Sequence, residues 1–166
     1  QPGVLIPRPE TEELVAIAKA IIHGLDTPIV FECGVGSGVI SLELAQVFSQ
    51  LSFFGWDTSS LAVATTRCNI DRFGLSNVSV VEGDFFSMAS AQHDPIIPHV
   101  LVSNPPYISS MDYSSLDNQV KREPISALVA DNNGLSVIFE LLEFSIAMSM
   151  ILVCEIGHQQ KALILN

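Results

Sequence analysis

Two hydrophobic rhythms alternate along this chain. Leu14, Ile17, Ala18 and Ile21 recur at i, i+3, i+4 and i+7 behind Pro9-Glu10-Thr11-Glu12-Glu13. That spacing predicts a helix beginning near Pro9, with one apolar face and acids in its first turn, where the helix dipole favours them. An apolar run at 28–32 predicts a short buried strand, and Cys33-Gly34-Val35-Gly36-Ser37-Gly38 follows it. Helical spacing returns over 39–48, and 51–57 is strand-like and ends in Asp57. Ser59 or Ser60 can cap the next helix, predicted to carry Leu61, Ala64 and Cys68 on its apolar face and to stop at Gly74. A β-branched strand at 77–81 runs into Glu82-Gly83-Asp84-Phe85; a loop with Pro95 and Pro98 leads to a strand at 99–103. Residues 108–133 are polar and irregular, long for a connection, and predict a substrate-facing lid. A helix over 135–148, with Leu135, Ile138, Leu142 and Ser145 along one side, and a strand over 150–155 complete the pattern.

Strands separated by helices, with near-continuous apolar runs, predict an α/β fold: a mostly parallel twisted sheet with helices on both faces. All 166 residues read as a single domain, long enough to bury a core. Ligands of such sheets lie beyond the carboxyl ends of the strands, where Glu32, Asp57, Asp84 and Asn104 all fall.

Composition narrows the class. Hydrophobic residues make up 48% and charged residues 15%, which predicts little disorder. The net charge of -11 repels phosphate and disfavours a nucleic-acid partner. No apolar run reaches the ~18 residues of a membrane span. Cys33, Cys68 and Cys154 lack paired spacing and read as small core residues of a reducing compartment. His23, His93, His99 and His158 form no metal-ligand pattern, so no metal is expected. The glycosylation-like Asn77-Val78-Ser79 carries little weight in a chain read as intracellular. Gln1 is not an initiator Met, and the chain reads as a piece of a longer protein.

The chemistry concentrates at Asn104-Pro105-Pro106-Tyr107. Two prolines stiffen the backbone and bias the residue before each toward extended geometry. The Asn104 amide oxygen and the Pro105 carbonyl can then converge on the two N–H bonds of a planar –NH2 group, with Tyr107 over its face. The alternative is an ordinary rigid loop. No general base is evident in this motif, and Tyr107, with an ordinary pKa near ~10, reads as a packing wall. Glu32 followed by glycines at 34, 36 and 38 makes a tight turn that a ligand can approach closely. The spacing is not GxGxxG, and nothing downstream calls for a pyrophosphate. Asp57 can accept both hydroxyls of a ribose, cap the following helix, or do both. Asp84 and Phe85 are either an adenine-binding pair or a turn acid and a core aromatic.

Together these motifs resemble the S-adenosylmethionine-binding, Rossmann-like fold of class I methyltransferases. With Asn-Pro-Pro-Tyr added they resemble the group that methylates amino and amide nitrogens. The opening Val4-Leu5-Ile6-Pro7-Arg8-Pro9-Glu10-Thr11-Glu12-Glu13-Leu14-Val15 is similar to the signature of the HemK/PrmC protein-glutamine methyltransferases. Glu123-Pro124, Asn133-Gly134-Leu135 and Glu155-Ile156-Gly157 with Gln159 or Gln160 resemble later segments of that family.

The resemblance implies S-adenosylmethionine as cofactor and, as substrate, the glutamine of the Gly-Gly-Gln loop in peptide-chain release factors. It implies that Glu32 and the loop Gly34, Val35, Gly36, Ser37, Gly38 line the methionine and ribose part of the cofactor. Asp57 would take the ribose hydroxyls, and Asp84 with Phe85 would flank the adenine. Pro9, Glu10 and Thr11 would lie near the methionine end. Asn104, Pro105, Pro106 and Tyr107 would hold the substrate glutamine, with Asn104 also touching the cofactor. A monomer of cytoplasm or mitochondrion, with no membrane association, is expected.

This chain departs from the family at Cys33 and Val35 in the glycine loop. At Asp131-Asn132-Asn133, where glycines are usual, a different local turn is expected. The family's N-terminal helical docking domain and final β-hairpin are not in this sequence, which leaves the last strand expected at a sheet edge. The competing readings are an adenine- or rRNA-directed amino methyltransferase and a truncated, non-catalytic cofactor- or partner-binding form.

Overall fold

A computed structural model describes residues 3–90 and 99–165. The loop expected around Pro95 and Pro98 lies outside the described residues. In chain order the elements are α1 (Pro9–His23), β1 (Val30–Cys33), α2 (Val39–Val47), β2 (Phe53–Asp57), α3 (Ser60–Phe73), β3 (Val78–Glu82), α4 (Phe85–Ser90) and β4 (Val100–Ser103). The one-turn α5 (Ser110–Tyr113), two 3-10 turns, the one-turn α6 (Asp131–Gly134), α7 (Ser136–Ala147), β5 (Ile151–Cys154) and α8 (Lys161–Ile164) follow.

The five strands form one parallel sheet in the order β3-β2-β1-β4-β5. Strand side chains alternate between its faces. Val30, Phe53, Val80, Val100 and Val153 pack under Leu14, Ala18, Leu44 and Val63 from α1, α2 and α3. Phe31, Trp56, Leu101 and Phe85 pack with Leu141 and Phe144 on the other face. The order reverses between β1 and β4, whose registers pair Cys33 with Ser103. β5 is an edge strand, as expected, with Ile151 40% exposed.

Two apolar faces, those of α1 and α3, lie at a different phase from the one their spacing predicts. In α1 the buried set is Thr11, Leu14, Val15, Ala18 and Ile22, while Ile17 is 54% exposed. In α3 it is Ala62, Val63 and Thr66; Leu61, Ala64 and Cys68 face solvent. In α7 the phase is the one predicted: Leu135, Ile138 and Ser145 are buried and Leu142 half-buried, with Leu141 added to the buried set. α3 shows the cause: it lies so close to the glycine loop that small residues must face inward. Thr66 Oγ1 donates to the Gly36 carbonyl at 3.1 Å. A residue's spacing gives the helix its period, but the partner it packs on sets its phase.

Ser59, not Ser60, caps α3, its hydroxyl accepting from the Ala62 N–H, and Gly74 ends the helix. Asn77 is buttressing rather than decoration, because its amide donates to the carbonyls of Ala45, Phe48 and Leu51 behind α2. The region expected as an irregular lid contains α5, the 3-10 turns and a bridge between Ile108 and Val129. Asn132 and Asn133 both take left-handed backbone, φ 53° and 55°. Asparagine tolerates that region better than other side chains, so the chain makes this turn with asparagine at both positions. No described helix is long and apolar enough to cross a membrane.

Candidate active site

The strand-order reversal places the loop after β1 beside the loop after β4, the usual ligand crevice of an open α/β sheet. The Ser103 hydroxyl donates to the Cys33 carbonyl at 2.7 Å and fastens the two loops at their base. Gly34 and Gly36 turn the chain with φ of +76° and +56°, and no atom lies within 4 Å of where a Cβ would stand. That open face is a wall of backbone. Val35 turns its side chain into the core over Gly55. Gly38, with φ +83°, packs closely against Thr66 of α3 and is not among the residues lining the two cavities described below.

Asp57 braces this loop. Its Oδ2 accepts from the Gly36 N–H at 2.9 Å and its Oδ1 from the Ser59 N–H at 2.8 Å. An ionised carboxylate has about four lone-pair sites, so Asp57 keeps acceptor capacity toward the cavity it lines. Glu32 is only 1% exposed and lies on the α2 face of the sheet, where its Oε2 accepts from the Ser41 N–H and hydroxyl. Its Oε1 is buried with no hydrogen-bond partner. Burial pushes its carboxyl up to about 8, against the pull of Ser41.

Two adjoining cavities share Gly34, Gly36 and Asn104. The larger, about 290 Å³, runs between Asp57, Asp84, Trp56, Phe86 and Pro106. The smaller is lined by Thr11, Glu32, Gly34, Gly36, Ser37 and Asn104. Asp84 caps α4, accepting from the Ser87 N–H at 2.8 Å. Phe85 is a core aromatic, 3% exposed, with one edge on the larger cavity. The turn acid and the core aromatic are therefore both present, and both residues also line the larger cavity.

At the end of β4, Asn104 stands at the junction of the cavities, and its Nδ2 donates to Thr11 Oγ1 at 3.2 Å. Its Oδ1 is left as an acceptor. Pro106 lines the larger cavity and Pro105 is buried; no peptide bond among the described residues is cis. The Tyr107 hydroxyl donates to Glu155 Oε1 at 2.9 Å. Burial, and then the Glu155 charge, raise the phenol further above its ordinary pKa, so it is no base. Behind the turn, the Gln160 amide donates to the Tyr107 carbonyl at 2.9 Å and accepts from the Gly157 N–H at 2.8 Å. Gln160, not Gln159, is thus the positioned glutamine.

Residues 28–160 match the protein family described as a methyltransferase domain. The chain belongs to that family. Its curated relatives include the release factor glutamine methyltransferase of Buchnera aphidicola subsp. Acyrthosiphon pisum, 36% identical over 141 residues, 85% of this chain and 49% of that protein. The enzyme of the same name from Escherichia coli K12 is 33% identical over 162 residues, 96% of this chain and 57% of that protein. The chain spans about half the length of the curated relatives it matches. Among solved structures, the hMettl16 catalytic domain in complex with the MAT2A 3′UTR hairpin 1 is similar with a TM-score of 0.73 and 16% identity, over 98% of this chain and 61% of that one. The human methyltransferase 10 domain containing protein gives 0.68 and 15%, over 98% and 71%. At such identities the likeness is one of fold, and it is the Rossmann-like class I fold expected from the sequence.

Some site features of this methyltransferase domain escaped sequence reasoning. Arg8 Nη2 donates to Glu123 Oε1 at 2.7 Å, joining the segment before α1 to the segment after α5. Gly3, Val4 and Leu5 on one side, and Pro124, Ser126 and Ala127 on the other, roof the larger cavity. No local pattern announces such a pairing. Glu155, already part of the family-like Glu155-Ile156-Gly157 segment, carried a usable signal of its own as well, because it stands at a strand end just as Asp57 and Asp84 do.

Proposed function

We propose that this domain transfers the methyl group of S-adenosylmethionine to the side-chain amide nitrogen of the Gly-Gly-Gln glutamine in peptide-chain release factors. The observation that carries this reading is Asn104: it stands where the two cavities meet, with its amide N–H engaged by Thr11 and its oxygen available. The names of the curated relatives support the choice of glutamine.

The residues fit the cofactor. It is a cation carrying an ammonium group, a ribose and an adenine. The unpartnered Glu32 Oε1 suits the ammonium, the free lone pairs of Asp57 suit the ribose, and Asp84 with the Trp56–Phe86 wall suits the base. Bound, the cofactor supplies an electrophilic methyl on sulfonium. An amide nitrogen is a poor nucleophile because its lone pair is delocalised into the carbonyl. Asn104 Oδ1 and the Pro105 carbonyl accept its two N–H bonds, favouring the positive charge that develops on nitrogen. They also aim the nitrogen, and alignment of bound reactants is worth roughly 7–11 kcal/mol.

The test is mass spectrometry of a release factor incubated with protein and cofactor, beside an adenine-bearing oligonucleotide, since the same grip fits an adenine amino group. Methylated glutamine and unmodified oligonucleotide are expected; the reverse would overturn the substrate. Cofactor binding without any transfer would leave a binding module only.

Glu32 makes cofactor binding pH-dependent. With its carboxyl at about 8 in the free protein, it holds a proton at neutral pH. A raised folded-state pKa means its stabilising share is full below the ordinary carboxylate range and is lost as pH rises through about 8. A bound ammonium favours the carboxylate and expels the proton. Calorimetry near pH ~7 in buffers of different ionisation enthalpy should show release of about one proton, fading above pH ~9. A binding enthalpy independent of buffer would remove Glu32 from the site.

The roof gives a further expectation. R8A leaves the buried Glu123 carboxylate, 8% exposed, without its cation. A loss of about 2 kcal/mol is expected for an unpaired buried group, lowering the unfolding midpoint by roughly 4–8 °C for a chain of this size. Cofactor affinity, measured by calorimetry, should weaken severalfold; affinity and midpoint both unchanged would show the ion pair to be idle.

A further inference from the structure

Glu155 follows β5, and its N–H donates to the Ser103 carbonyl at 3.0 Å, continuing the β4–β5 ladder. That pairing brings its side chain beside the Asn-Pro-Pro-Tyr turn. One carboxylate oxygen, Oε1, takes the Tyr107 hydroxyl at 2.9 Å. The other, Oε2, is shielded from solvent and has no hydrogen-bond partner. Asn104 and Thr11 lie close enough to steady its charge, while burial and then the Glu10 carboxylate disfavour it. The Asn104 amide therefore has an acidic neighbour on the Thr11 side and open cavity on the other.

An amide side chain has two nearly isosteric orientations, and only its hydrogen-bonding surroundings choose between them. With oxygen toward Thr11, the amide would set one acceptor against the Glu155 carboxylate and send its N–H bonds into the cavity. There they would meet the N–H bonds of the substrate amide, donor against donor. With nitrogen toward Thr11, the orientation observed, the amide gives an N–H to Thr11 and leaves Oδ1 for the cavities that Asn104 lines. We propose that Glu155 is a positioning residue for methyl transfer, which by repelling the Asn104 amide oxygen and holding the Tyr107 phenol keeps the Asn104 carbonyl facing the nitrogen to be methylated. This rests on the reading of the site given above. Glu155 itself touches neither the methyl donor nor the nitrogen in this role.

E155Q tests it, because glutamine keeps the shape and the acceptor for Tyr107 but removes the charge that discriminates between the two orientations. Methylation of a Gly-Gly-Gln peptide should fall by roughly 10²-fold in kcat, the scale of a misaligned reacting group, with KM and cofactor affinity within about threefold of wild type. The Asn104 side-chain amide resonances in a 15N-labelled sample, single in wild type, should double or broaden. A merely structural role would shift stability and leave those resonances single. T11V removes the acceptor of the Asn104 N–H and should reproduce the fall in kcat and the doubled or broadened Asn104 resonances, which covers the case of an E155Q protein that does not fold. A kcat within about threefold of wild type, or unchanged Asn104 resonances, would overturn the proposal. Should wild type itself leave the peptide unmethylated, the substrate reading fails, and the resonances still decide the orientation.

Discussion

N104A is expected to abolish measurable turnover while leaving a folded, cofactor-binding protein. The side chain supplies the acceptor at the junction of the two cavities, and alanine supplies none. Loss of one oriented electrostatic partner costs roughly 10²- to 10³-fold in rate at sites of this kind, and the second substrate N–H would lose its aim as well. Stability should change little. The lost hydrogen bond to Thr11 is worth about 1 kcal/mol, a fall of roughly 2–4 °C in midpoint. Single-turnover methylation of the release factor, with calorimetric titration of cofactor on the same sample, separates the two effects. Turnover within about tenfold of wild type would show that Asn104 does not grip the nitrogen.

The second large effect belongs to a residue outside both cavities. G134A places a Cβ at φ +82°, where it would run into the Tyr107 carbonyl oxygen and come within 2.9 Å of the Gln160 amide. Left-handed backbone costs a non-glycine residue roughly 1–2 kcal/mol. Displacing the carbonyl that Gln160 binds costs about 1–2 kcal/mol more. An unfolding midpoint lower by roughly 4–16 °C is therefore expected in a circular dichroism melt. Methylation should drop as well, since the carbonyl that moves belongs to the turn presenting Asn104. A midpoint within a degree or two of wild type would mean the turn and α6 are free to separate.

Local chemistry was legible where the chain states it locally. The glycines at 34 and 36 are needed for a turn made by consecutive residues, and Asp57, Asp84 and Asn104 announce themselves by following apolar runs. The phase of α1 and α3 was not legible, because Ile17 and Leu61 satisfy a helical period as well as Val15 and Ala62 do. Only the surface beneath chooses among them. The sequence shows Glu32 only as an acid at a strand end; its bonds to Ser41 and its raised proton affinity depend on which face of the sheet it lies on.

By itself the sequence determined the alternation of strands and helices, the glycine turn, and the rigid asparagine-proline turn, all consequences of backbone preference and short-range periodicity. Tertiary structure alone decided which groups meet. Tyr107 reaches Glu155 across 48 positions, Gln160 holds the Tyr107 carbonyl across 53, and Arg8 finds Glu123 across 115. Strand order sets those encounters, since β4 must lie between β1 and β5 before the loops after them share a crevice. Pairing at such separations is governed by the packing of whole layers, and no window along the chain contains it.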